Sequence, residues 1–123
     1  MIVSKDKFEQ ITTDEIKRLT ASLPDDIRLQ IENTAIFIED KADASVEEDD
    51  STDVLGLYEG VPLNQRSFPD SQLPDKIILY RTPLMKSCRT ISQLRKEIRI
   101  TLIHELGHHL GFDEDDLAER GFD

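Results

Sequence analysis

The sequence predicts one α+β domain. Three observations carry that expectation: helical apolar periodicity near both ends of the chain, three short runs of strand-forming residues between them, and polar or proline-bearing connections that separate the runs. At 123 residues the chain has the length of a single domain, able to bury most of its apolar surface but too short for a second core. Hydrophobic residues make up 37% and charged residues 33%, polar for a globular protein yet too rich in Ile, Leu and Phe for a disordered one. One domain over residues 1–123 is the expectation.

The first element spans residues 4–23, where Phe8, Ile11, Ile16, Leu19 and Leu23 fall close to a helical period on one stripe and Pro24 stops the pattern. It reads as a packing helix, with Thr12 as the point at which it could be interrupted. Residues 25–31 add a short helical turn. "TAIFIE" (34–39) then concentrates Ala35, Ile36, Phe37 and Ile38 in a run too short for a helix core, which reads as a buried strand.

From Glu39 to Asp53 eight acidic residues face Lys41 alone, with too few apolar groups to pack, so a solvated loop is expected at about residues 40–53. A calcium loop is the weaker reading, because no Gly stands where its sharp turn needs one. "VLGLYEG" (54–60) and "KIILY" (76–80) read as a second and third strand. Pro69 and Pro74 mark the loop between them, and Pro83 is expected to close the third strand. The last element covers residues 90–110. Thr90 and Gln93 match a capping box, Ile91, Leu94, Ile98 and Leu102 line one face, and Gly111 supplies the stop because glycine enters the left-handed conformation without steric penalty.

The formal charge of −11 disfavours phosphate backbones and anionic lipid, so no nucleic-acid partner is expected. "MIVSKDKFEQ" has no apolar leader core, and no run approaches the roughly 18 apolar residues of a membrane span. Cys88 is the single cysteine, which suits a reducing, cytoplasmic setting and the role of a small space-filling residue.

Chemistry concentrates in "TLIHELGHHLGFDEDD" (101–116). His104 and His108 stand four residues apart, so on a helix they share a face one turn apart and can hold one ion. Glu105 lies one step round the helix. A zinc ion held there lowers the pKa of its water to about 7, and a neighbouring carboxylate can take the proton as hydroxide attacks a carbonyl. Catalytic zinc usually takes three protein ligands, and register past Gly111 selects Glu114 as the third, with Asp113 and Asp115 as rivals. His109 lies at the wrong helical angle for the same ion and reads as a supporting or surface residue. Chance alone would produce the five-residue pattern in about one such chain in a hundred, and adding Gly111 and an acid at 114 lowers that to about one in ten thousand.

With these residues the sequence resembles the minimal zincin family, small prokaryotic zinc metallopeptidases whose extended motif reads HExxHxxGxxD. "VLGLYEGVPLNQRS", "PDKIILYRTPL" and "IRITLIHELGHHLGFDEDDLAERG" look like the family's blocks in order, and with "TAIFIED" the likeness covers most of the chain after residue 33. It implies a minimal zincin-like fold, a small mixed sheet of about three to four strands packed against an N-terminal helix and the motif helix. It also implies zinc ligands at His104, His108 and position 114, and Glu105 as general base. The family has Asp where this chain has Glu114. Met1 and Met85 both precede the motif, so the methionine turn of the larger metzincins is not expected.

The activity so implied is hydrolysis of peptide bonds by zinc-activated water. A chain this small has few residues for a deep cleft, so extended peptides or unfolded proteins laid along a strand edge are the expected substrates, with a partner chain available to complete the cleft. The surplus acid near the motif favours cationic peptides. Tyr58, Tyr80 and Arg81 are oxyanion-donor candidates by residue type, set against the structural roles of core aromatic and paired cation. The rival readings are a metal-dependent endoribonuclease with a comparable HxxxHxxGxxH helix, opposed by Glu105 and by the acidic surface, and a catalytically silent zinc-stabilised binding module.

Overall fold

A computed structural model describes residues 1–42, 54–59 and 75–109. The first helix, α1 (Lys5–Ser22), starts where the Ser4 side chain accepts a hydrogen bond from the Lys7 amide at 3.2 Å, and ends before Pro24. It runs unbroken through Thr12, the point at which the sequence allowed an interruption. The hydroxyls of Thr12, Thr13 and Thr20 donate to the carbonyls of Phe8, Glu9 and Ile16, so each threonine satisfies its polar atom inside the helix and does not compete with it. Phe8, Ile11 and Leu19 are buried on one stripe. The short turn extends to α2 (Asp25–Glu32), which buries Ile27 and Ile31.

The three strands are β1 (Thr34–Glu39), β2 (Gly56–Glu59) and β3 (Asp75–Tyr80), ordered β1-β3-β2. β1 runs parallel to β3, with Ile36 opposite Ile77, and β2 runs antiparallel to it, with Gly56 opposite Leu79. The sheet is therefore mixed, as expected. Its central strand explains the near-continuous apolar run "IILY": Ile77 and Leu79 join the main core, while Ile78 and Tyr80 pack on the other face with Ala42, Val54 and Leu57. β1 is not the fully buried strand that its composition suggested. Among the described residues it is an outer strand of the sheet, where Ile36 and Ile38 face the core and Phe37 stays half exposed beneath Lys76, whose Nζ is 5.6 Å from the ring centre.

Pro83 does not close β3. The strand ends at Tyr80 and passes directly into α3 (Arg81–Lys86), in which Pro83 is the third residue. A proline is tolerated there because first-turn amides have no partner within the helix. The last helix, α4 (Ile91–His109), buries Leu94, Ile98 and Leu102 completely, whereas Ile91, expected on the same face, is 38% exposed at the first turn. Its cap departs slightly from the expected box. Thr90 Oγ1 accepts from the Gln93 amide at 3.1 Å, but Gln93 Oε1 reaches back to the Arg89 amide at 2.7 Å, one residue earlier than the cap itself. Thr90→Ala is expected to lower unfolding free energy by about 1 kcal/mol, measurable as a reduced urea midpoint at constant slope.

The core lies between the sheet and the pair α1 and α4. Across that helix seam sits a buried carboxylate, Glu15, with Arg18, Arg95 and Arg99 around it. Cys88 is free and buried, in keeping with a space-filling role.

Candidate active site

Helix α4 is held by the apolar residues of its buried face, and it continues without a break through residues 104 and 108. The four-residue spacing of the two histidines is thus realised on helical backbone, which places the two positions one turn apart along the same side. Burial singles out part of this stretch. Between Thr101 and Gly107 every residue is buried except His104 and Glu105, which are partly exposed. The two side chains capable of metal and proton chemistry therefore open to solvent from within a segment otherwise covered by the sheet and the core. A carboxylate in such a place is reachable by water yet less screened than on an open surface, the environment in which a general base is effective.

The sheet comes closest to this turn at Gly56. A methyl group on Gly56 would stand 2.6 Å from Thr101 Cγ2, 3.2 Å from the Ile78 carbonyl oxygen and 3.7 Å from Glu105 Cγ. Glycine is what allows the β2 main chain to lie on the helix beside Glu105. Thr101 and Gly56 were absent from the residues that the motif points to; the signal available was a glycine inside a strand run, which marks close approach of another backbone. Residues 31–122 match the family model described as zincin-like metallopeptidase. The chain belongs to that family.

The zincin-like assignment agrees with the architecture. A conserved hypothetical protein from T. thermophilus has a similar solved structure, with a TM-score of 0.55, 25% identity, and coverage of 91% of this chain and 98% of that one. Comparison with curated proteins gave no match.

Of the oxyanion candidates in this zincin-like chain, two hold structural posts. Tyr80 is buried in the small cluster on the far face of the sheet. Arg81 donates from Nε to Asp40 Oδ1 at 3.1 Å and from Nη1 to the Val3 carbonyl at 2.9 Å, tying the N-terminus and the end of β1 to the start of α3. Tyr58 stands two residues from Gly56 on β2, opposite Ile77 and packed against the main core.

Glu114, its rivals Asp113 and Asp115, the stop at Gly111 and the acidic stretch from residue 43 to 53 lie outside the described residues, as does the side chain of His108. Among the described residues no three metal-binding side chains come together. The donor set that the sequence supplies, two imidazoles and a carboxylate, is nevertheless of the type that suits zinc, and the helical backbone at 104 and 108 is compatible with it. No helix among the described residues is long and apolar enough to cross a membrane.

Proposed function

We propose that this chain is a zinc-dependent peptidase in which His104, His108 and Glu114 hold the metal and Glu105 is the general base. The observation that carries the proposal is the pairing of His104 and Glu105 as the partly exposed positions of an otherwise buried turn, on a helix against which β2 is pressed. Membership of the zincin-like metallopeptidase family supports it.

Zinc, when bound, acidifies a water and polarises the scissile carbonyl. Glu105 accepts the proton of that water and delivers it to the departing amine, so that one carboxylate serves as base and then acid. Extended peptides laid along a strand edge as an added strand are the substrates this reading favours, in keeping with the close approach of the sheet to Glu105. That mode suits peptides and unfolded proteins in a cytoplasmic setting, and the acidic surface favours cationic ones. The cleft is shallow or is completed by a partner chain.

The test is metal content read beside peptide cleavage. Purified wild type is expected to hold one zinc per chain and to cleave a library of extended peptides, while His104→Ala and His108→Ala hold none and are inactive. A wild type with no tightly held metal refutes the proposal.

A further inference from the structure

We propose that Gly56 and Thr101 form a spacer that sets how closely β2 lies on α4, and hence where Glu105 stands relative to the carbonyl of a bound peptide. The inference rests on the peptidase reading given above and assigns a positioning role within it. Its basis is a single contact. The space that a Cβ at residue 56 would need is taken by Thr101 Cγ2 at 2.6 Å, with the Ile78 carbonyl at 3.2 Å and Glu105 Cγ at 3.7 Å behind it.

Neither near neighbour can yield easily. Thr101 is buried and β-branched, with few rotamers open to it on a helix. The Ile78 carbonyl belongs to β3, the central strand, which pairs with β2 through Gly56 opposite Leu79 and Leu57 opposite Ile78. A larger residue at 56 is therefore accommodated by lifting β2 off the helix. The distance that changes is the one between β2 and the side chain of Glu105, which lies four residues after Thr101 and so on the same side of α4. Thr101 and Gly56 do not touch the reacting atoms; they act through strand position.

The test compares wild type with Gly56→Ala, Thr101→Ser and the double variant, using thermal midpoints of the metal-free proteins and steady-state kinetics of the zinc-loaded ones. In an uncrowded strand, alanine in place of glycine raises Tm by restricting the unfolded chain, so the sign of the change is itself diagnostic. Gly56→Ala is expected to lower Tm. It is also expected to reduce kcat by at least about tenfold with KM little changed, because peptide still binds while Glu105 and the scissile carbonyl are misaligned. Thr101→Ser removes Cγ2 and keeps the hydroxyl, and combined with Gly56→Ala it should recover most of both losses.

A Gly56→Ala protein with unchanged or raised Tm and wild-type kcat overturns the inference, as does a double variant no better than Gly56→Ala. An active wild type with either result sinks the spacer alone. A zinc-loaded wild type that cleaves no peptide sinks the peptidase reading and the catalytic role of the spacer together, and the two failures remain separable because the thermal comparison needs neither metal nor substrate.

Discussion

Replacing Glu105 by Gln is expected to leave one zinc per chain and to reduce kcat for peptide hydrolysis by about 10²- to 10⁴-fold. The two consequences separate because Glu105 is one residue from His104 along α4 and so points about 100° away from the histidine face. In the proposed arrangement it would act on a water and would not join the ligands. Gln keeps the length and the hydrogen-bonding ability of the side chain but cannot hold a proton, so packing beside Gly56 and Thr101 should survive the change. The thermal midpoint is expected to stay within a few degrees of wild type. Metal analysis and single-turnover kinetics on the same preparation decide the matter. Retained zinc with undiminished cleavage would show that another group carries the proton, and a protein that holds zinc but hydrolyses nothing in either form would be a metal-stabilised binding module.

Much of the architecture was legible in the chain because its elements differ in period. Phe8, Ile11 and Leu19 recur at helical spacing and are buried in α1; Thr34 to Glu39 and Asp75 to Tyr80 carry compact apolar runs and become strands. Periodicity does not reveal which strand takes the centre of the sheet. "TAIFIE" and "KIILY" look alike, yet among the described residues the second is the central strand, covered on both faces, and the first is an outer one, a distinction set by pairing order. Helix α3 escaped notice for a related reason. Pro83 ordinarily signals a stop, and only the immediate passage from Tyr80 into a helical turn makes its missing amide harmless. At the candidate site, the residue types and the four-residue spacing announced His104, Glu105 and His108, because metal chemistry demands particular donors at a particular interval. The close approach of Gly56 to Thr101 carries no such chemical label. It arises from two segments about 45 residues apart meeting in space, and a strand glycine was the sole trace of it.

The helix that bears His104 and Glu105 is anchored on α1 by a second buried feature, and its response to mutation should be asymmetric. Glu15 has a side chain only 1% exposed, with the Nη1 atoms of Arg18, Arg95 and Arg99 at 3.6, 3.8 and 3.8 Å, while its oxygens make no direct hydrogen bond. The cations keep part of each guanidinium group in water: Arg95 is 24% and Arg99 42% exposed, and although the Arg95 Nη1 facing Glu15 is buried without a hydrogen bond, Arg95 has Asp14 at 3.6 Å as an additional partner. Removing Arg95 and Arg99 leaves the sealed carboxylate with the largely exposed Arg18 as its remaining described partner, whereas removing the carboxylate leaves guanidinium groups that can turn mostly to solvent. The double variant Arg95→Ala/Arg99→Ala is therefore expected to lose about 3–5 kcal/mol of unfolding free energy. Glu15→Met, which keeps the length of the side chain and replaces the charge with apolar surface, should lose less than about 1 kcal/mol or gain stability. Adding Glu15→Met to the arginine double variant should then restore much of the loss, a strongly non-additive result readable from urea unfolding of all four proteins at constant slope. Equal losses for Glu15→Met and for the arginine pair would mean that the carboxylate itself is a net source of stability. The desolvation argument would then fail, and Glu15 would have to be regarded as the attractive centre of the α1 and α4 seam.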